Sequence, residues 1–345
     1  MRTMMRDGRS RPVAIWLLAV ALLVLAMVVV GGATRLTGSG LSITQWKPIS
    51  GVLPPMTGQA WAEAFARYRA TPQYRLINPG MSLGGFQFIF WWEWAHRLLG
   101  RVLGVAFALP FATFLATRRL PRRLVWRCAV LLALGALQGL VGWWMVQSGL
   151  EARVSVAPER LAIHLGLALI LFSALIWTAL EAWSGKKRAD GDRRDGWTLA
   201  GALLAGGVFL QCLLGALVAG DKAGLIDNDW PLMGGSIFPS DYWRGSFWAT
   251  FAHGPAAVQF NHRLLAYGLL IMGLGMAVTA IRSSRVPGTI RGLCVVFAAG
   301  VTGQAMLGIA ALWSGMPLSL AIFHQANAAF VLAVAVALAW RSRRI

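Results

Sequence analysis

The sequence predicts an all-α membrane protein: eight transmembrane helices forming two tandem four-helix bundles related by a pseudo-two-fold repeat, with both termini in the cytoplasm. Three observations carry this reading. Hydrophobic residues make up 57% of the 345-residue chain and charged residues only 13%, about half the charged share of an average soluble domain, so most of the surface faces lipid. Apolar runs long enough to cross about 30 Å of hydrocarbon recur along the whole chain. The polar landmarks of the first four runs return in the same order in the last four.

The first run, 13–33, follows a basic segment holding Arg2, Arg6, Arg9 and Arg11. It is longer than the apolar core of a cleaved signal peptide and leads straight into GGATRLTGSG, so a retained membrane helix is expected. A long loop, 34–85, comes next, rich in Gly, Pro and Trp. Within it WAEAFARY (61–68) has the pattern of a short amphipathic helix, either interfacial or simply solvated. Runs 86–116 and 128–147 flank a segment with Arg118, Arg119, Arg122, Arg123 and Arg127. The fourth run, 160–183, is followed by Lys186, Lys187, Arg188, Arg193 and Arg194. The fifth, 197–219, opens a second long loop, 220–256, before the sixth, 257–280. Arg282, Arg285 and Arg291 precede the seventh, 292–313, and the eighth, 319–340, ends on Arg341, Arg343 and Arg344.

These basic clusters fall on one side of the alternating spans. The positive-inside rule places that side in the cytoplasm, facing anionic lipid, and makes the chain a multi-pass protein of the cell inner membrane. The net charge of +19 is therefore read as membrane-surface charge, and no nucleic-acid partner is expected. Cys128, Cys212 and Cys294 lie in or beside apolar runs without CxxC spacing. They read as small buried side chains, and no disulfide framework is implied.

An internal duplication divides the chain at about 190, into 1–190 and 191–345. GGATRLTGSGLSITQWKPISGVLPP follows the first span and LGALVAGDKAGLIDNDWPLMGGSIFP the fifth. EWAHRLLG in the second span is matched by QFNHRLLAYG in the sixth, QGLVGWW in the third by GQAMLGIAALW in the seventh, and ERLAIHLGLA in the fourth by LSLAIFHQANA in the eighth. Repeats of this kind are common in membrane proteins.

Four of the five histidines, His96, His164, His262 and His324, lie in the even-numbered spans, two in each half. All four are expected in the outer part of the membrane at comparable depth, given a rise of about 1.5 Å per helical residue. Strongly polar side chains at such depth are costly and tend to serve function. A facing pair of histidines from two helices of a bundle is the common way to ligate haem iron from both sides. Zinc would call for further Cys or carboxylate ligands, and none clusters here. His253, in the second long loop, reads as an accessory ligand, a proton relay or a surface residue.

Each HR dipeptide also sets an arginine beside its histidine, Arg97 and Arg263, suited either to a haem propionate or to snorkelling toward headgroups. Three residues before His96 stands Glu93, and three before His262 stands Gln259. Residues i and i+3 share a helix face. The first half thus has a carboxyl able to take protons where the second has only an amide, which makes the first site the chemically active one. Alternatively, Glu93 merely orients an imidazole.

GGATRLTGSGLSITQWKPISGVLPP, EWAHRLLGR, AGLIDNDWPLM and QFNHRLLAY resemble the haem A synthase family, in its alphaproteobacterial and mitochondrial branch, over about residues 20–340. The Gram-positive branch carries a cysteine pair in its outer loops that this chain lacks, so thiol chemistry is not carried over. The resemblance implies oxidation of a ring methyl of haem O to a formyl group, giving haem A for terminal oxidases. It implies that His96 and His164, with Arg97 alongside, bind haem O as substrate. It further implies that His262 and His324, with Arg263 and Gln259 alongside, hold haem b, and that Glu93 is needed for turnover. It also implies haem O synthase, oxidase assembly factors and an electron acceptor of unidentified nature as partners, beside membrane lipid.

Residue spacing alone reaches two bis-histidine sites and one carboxyl. It leaves open a bis-histidine membrane cytochrome b acting in electron transfer, and a non-enzymatic haem carrier. Because two axial histidines leave no coordination position for oxygen, the expected chemistry is electron removal from the substrate haem, attack of water on the activated methyl, and proton acceptance by Glu93.

Overall fold

Eight helices long and apolar enough to cross a membrane carry the fold, and they coincide with the eight expected runs. The computed structural model describes residues 10–151, 153–185 and 196–343. Arg2, Arg6, Arg9, Lys186, Lys187, Arg188, Arg193, Arg194, Arg344 and the division at 190 lie outside these. The spanning helices are α1 (Arg11–Leu36), α4 (Leu83–Ala116), α5 (Arg122–Glu151), α6 (Pro158–Ser184), α7 (Gly196–Gly220), α9 (Pro255–Arg282), α10 (Gly288–Trp313) and α11 (Leu318–Ser342). The short helices α2 (Gly58–Arg69) and α3 (Pro72–Leu76) lie in the first long loop, and α8 (Phe247–Phe251) lies in the second. Strands are absent among the described residues apart from one isolated bridge, Met233 to Ser236.

The helix ends follow local chemistry. Proline opens α6 and α9, where its missing N–H costs nothing. Ser82 Oγ accepts from the Gly85 N–H to cap α4, and Thr57 and Thr71 cap α2 and α3 in the same way. α5 begins at Arg122, before the apolar run at 128. The reason is that a helix continues through the headgroup region, where arginine is at home, whereas hydropathy marks only the lipid-facing part.

Packing divides the spans into two four-helix groups. α1, α4, α5 and α6 form one, and α7, α9, α10 and α11 form the other, with α6 on α7 and both α1 and α6 on α11 between them. Lipid tails are as apolar as the side chains, so helix association rests on close fit and polar contacts. A Cβ on Gly201 of α7 would lie 3.0 Å from Ala339 Cα of α11, and one on Gly220 would lie 2.8 Å from Pro158 Cα of α6. Across the groups Gln325 Nε2 donates to the Val28 carbonyl at 2.7 Å, and Arg35 donates to the Ala219 and Gly220 carbonyls at 3.1 Å each.

The start of α1 and the ends of α6 and α11 share one face. Ser10 N–H donates to the Ala182 carbonyl at 2.8 Å, and Thr198 Oγ1 at the start of α7 donates to the Ser342 carbonyl at 3.2 Å. On that face the buried Glu181 carboxylate receives both Arg127 and Arg343. This ties α5, α6 and the end of α11 together, and a buried carboxylate of this kind is tolerable only with such partners.

At the opposite face the first long loop folds over α4. The expected amphipathic segment is α2, and its Trp61, Phe65 and Tyr68 pack on Phe86 and Phe90 of α4. Tyr68 and Phe86 are fully buried, and each such aromatic contributes about 1.5–3 kcal/mol by leaving water. Tyr68 Oη donates to Gln73 Oε1 at 3.1 Å and accepts from Asn78 Nδ2 at 2.7 Å. Burial pushes this phenol above its usual range, although the Asn78 contact works the other way. Cys128 and Cys294 are buried, Cys212 is half-buried, and all three are free thiols.

Candidate functional site

The four membrane histidines occupy diagonally opposed helices of the two groups. His96 on α4 and His164 on α6 belong to the first, and His262 on α9 and His324 on α11 to the second. The remaining spans present glycine at the same level. A Cβ on Gly31 of α1 would lie 2.9 Å from His96 Cε1, and one on Gly142 of α5 would lie 2.9 Å from His164 Cε1. In the second group Gly215 of α7 stands so toward His262, at 3.3 Å, and Gly308 of α10 toward His324, at 3.0 Å. Only glycine lets the backbone approach an imidazole edge this closely.

The ring centroids of His262 and His324 are 6.5 Å apart with the planes tilted by 60°. Two metal–nitrogen bonds of about 2 Å, extended by the ring radii, place two axial imidazole centroids roughly 6 Å apart. The spacing thus admits an iron between the rings. The Nδ1 atoms of His96 and His324 are buried and lack a hydrogen-bond partner. No group of three or more His, Cys, Asp or Glu suited to a metal ion occurs among the described residues, so the donor set is two imidazoles per site. That set fits a haem, whose ring supplies the other ligands.

Two glutamines that spacing did not single out support the ligands. Gln138 Nε2 donates to the His164 carbonyl at 2.9 Å and lies 3.2 Å from His164 Nδ1. Gln211 Nε2 donates to the His262 carbonyl at 2.9 Å and lies 3.1 Å from His262 Nδ1. Such contacts orient a ligating ring and fix its tautomer. The repeat register, by which Gly142 matches Gly308 and Gly31 matches Gly215, pairs Gln138 with Gln304 and Gln211 with Met27. Gln304 Oε1 accepts from Asn327 Nδ2 at 2.9 Å instead, and Leu167 stands at the position matching Asn327. A glutamine four residues before the glycine that backs a histidine, at Gln138, Gln211 and Gln304, is the sequence signal that points to them.

Glu93 and Arg97 form one unit. Glu93, 3% exposed, accepts from Ser42 Oγ at 2.7 Å and from the Ile43 N–H at 2.8 Å through Oε2. Its Oε1 accepts from Arg97 Nη2 at 2.6 Å. Arg97 also donates to the Ile43 carbonyl at 2.8 Å and the Gln45 carbonyl at 3.1 Å. In the second half Gln259 Nε2 donates to the Asp227 carbonyl at 3.0 Å, and Arg263 donates to the Asp227, Asp229 and Leu232 carbonyls. Both pairs therefore clamp the loop that follows the preceding span. The polarity of the loop selects the residue: donors at Ser42 and Ile43 call for a carboxylate, and the Asp227 carbonyl calls for an amide donor.

The second loop is closed by Asp229, whose carboxylate accepts from the Gly234 and Gly235 N–H groups at 3.0 Å each. The Gly235 bond in particular holds Asp229 below the usual carboxylate range. Both glycines have positive φ, +57° and +78°, which brings their N–H groups onto one carboxylate. His253 lies apart from the four histidines, with Nε2 3.8 Å from Glu159 Oε2 and its ring against Trp248.

The family model described as cytochrome oxidase assembly protein matches residues 14–336. A heme A synthase of Caulobacter vibrioides is 58% identical over 346 residues, covering 100% of both chains. A heme A synthase of Rhodopseudomonas palustris is 49% identical over 329 residues, covering 94% of this chain and 90% of that protein. One of Parvibaculum lavamentivorans is 46% identical over 340 residues, covering 98% and 96%.

Proposed function

The chain belongs to the cytochrome oxidase assembly protein family, and from that premise we infer that it is a haem A synthase of the cell inner membrane, oxidising a ring methyl of haem O to a formyl group. The observation that carries the reading is the diagonal pair of histidines, backed by glycine on the intervening helices, in each four-helix group. Full-length identity to heme A synthases supports it.

The first group, with His96 and His164, takes haem O as substrate, and the second, with His262 and His324, holds haem b. When bound, haem b supplies a one-electron relay toward the acceptor. The protein's own part is positional. Gln138 orients His164 and Gln211 orients His262. Glu93 and Arg97 fix the Ser42–Gln45 loop over α4. Turning the methyl into a formyl group with water as the oxygen source breaks C–H bonds and releases electrons together with protons: the electrons would leave to the separate acceptor, and Glu93 Oε2, with the Ser42 hydroxyl as its neighbour at 2.7 Å, would take protons. Haem O synthase as donor, oxidase assembly factors as recipients and a separate electron acceptor complete the scheme.

The test is the pigment extracted from the purified protein, together with isotope labelling of the formyl oxygen. Haem b accompanied by haem O, a hydroxylated intermediate or haem A, with label arriving from water, is expected. Haem b alone would return the protein to the cytochromes. Label from molecular oxygen would overturn the water step.

A further inference from the structure

The two groups differ at the face shared by the ends of α6 and α11. Arg341 stands near the end of α11, and its Nε donates to Thr289 Oγ1 at the start of α10, at 3.3 Å. Among the described residues no carboxylate pairs with it. The repeat register, by which His164 matches His324 and Gly142 matches Gly308, sets Glu181 at the place of Arg341. It also sets Arg127 at the place of Leu293, Trp126 at that of Gly292 and Trp177 at that of Ala337. In the first group the Glu181 carboxylate receives Arg127 and Arg343, and Trp177 packs against the core. In the second group the cation faces no acid, and glycine and alanine stand where the first group has two tryptophans.

A groove of about 420 Å³ lies at this point. Gly292 and Leu293 of α10, Ala337 and Trp340 of α11 and Leu180 of α6 form its walls, so it lies on the seam between the two groups. Thr289 and Arg341 close its basic end, and it opens outward at the exposed Thr289 and Gly292. Arg282 and Arg285, in the connection that leads into α10, are exposed, and that connection carries no acidic residue. A wall of this kind in hydrocarbon suits an acyl chain, and a guanidinium at headgroup level suits a phosphodiester, to which it can present two parallel N–H donors. Basic pockets between spanning helices on this side of a membrane take acidic headgroups.

We propose that this groove binds an anionic phospholipid, with an acyl chain against Gly292 and Ala337 and the phosphodiester on Arg341 and the Thr289 hydroxyl. The lipid supplies to the second group the negative charge that Glu181 supplies to the first, and its chain takes the volume that Trp177 takes there. A zwitterionic lipid fills the groove equally well but leaves the charge of Arg341 unbalanced. Because Leu180 belongs to the other group, the bound lipid also braces the seam. The inference is independent of what the histidines bind.

The test is lipid exchange on the full-length protein, purified with its haem, in mixed micelles. Phosphatidylglycerol or phosphatidylcholine with the same acyl chains is added, and native mass spectrometry and melting temperature are read. Wild type is expected to retain one phosphatidylglycerol with a preference of about fivefold or more, the factor that one basic residue near a membrane surface contributes, and to melt higher in its presence. Arg341→Gln is expected to abolish the preference, Arg341→Lys to keep most of it, and Arg119→Gln, at an exposed arginine outside the groove, to leave it unchanged. Gly292→Leu fills the groove and is expected to lower retention of both lipids. Equal retention of the two lipids by wild type overturns the proposal, as does equal loss from Arg341→Gln and Arg119→Gln, which would mean diffuse attraction to the basic face. Inorganic phosphate that raises the melting temperature as much as phosphatidylglycerol also overturns it, because the chain then contributes nothing. If Arg341→Gln does not fold, Gly292→Leu decides, and unchanged phosphatidylglycerol retention in that variant refutes the site.

Discussion

Arg97 and Glu93 stand one turn apart on α4, joined at 2.6 Å, and both hold the backbone of Ile43. A residue expected for its chemistry thus also serves as the lock on the first outer loop. The two roles separate in mutants.

Glu93→Ala is expected to destabilise the protein by about 3–5 kcal/mol, because it leaves Arg97 and two loop donors without their acceptor. Glu93→Gln keeps an acceptor for Ser42 or Ile43 and is expected to cost about 1–3 kcal/mol. Thermal melts in detergent check the order. If Glu93 also accepts protons, Glu93→Gln retains second-group haem and loses product, whereas a purely structural residue would lose the two in proportion.

Gly142→Ala places a Cβ 2.9 Å from His164 Cε1 and is expected to turn the ring out of line. Gly308→Ala, at 3.0 Å from His324 Cε1, is expected to do the same in the second group. Each should weaken low-spin haem absorbance from its own group only. Gly206→Ala, with nothing within 4 Å, should leave the spectrum untouched. Equal effects from all three would remove the glycines from the account of the sites.

Gln211→Leu removes the amide beside His262 Nδ1. Loss of such a contact typically lowers metal affinity 10–100-fold. Faster transfer of haem to apomyoglobin from the second group is expected, with little change in melting temperature of the haem-free protein. An unchanged off-rate would mean that the amide serves only the His262 carbonyl.

Burial raises the Asp221 carboxyl at the end of α7, against the opposing pull of His253, Arg153 and Arg244, with Glu159 adding to the rise. Its Oδ2 is buried without a hydrogen-bond partner. The folded state therefore binds the proton more tightly than the unfolded chain, so the Asp221 contribution to stability rises as pH falls through the folded pKa. Asp221→Asn is expected to melt higher than wild type above that pKa, with the gap closing as pH is lowered. A gap independent of pH would refute this.

The sequence by itself determined the eight spans and the amphipathic α2 through hydropathy, and the candidate residues His96, His164, His262, His324, Glu93, Arg97, Gln259 and Arg263 through the internal repeat and its spacing. That information is local: a run of apolar residues or a repeated HR dipeptide is complete within a few helical turns. Which helices stand face to face, which glycine backs each imidazole and why Gln138 and Gln211 matter were decided by the tertiary structure. In lipid, helix pairing depends on the fit of small and large side chains across the contact, between residues far apart in sequence, and no single-span pattern encodes that fit.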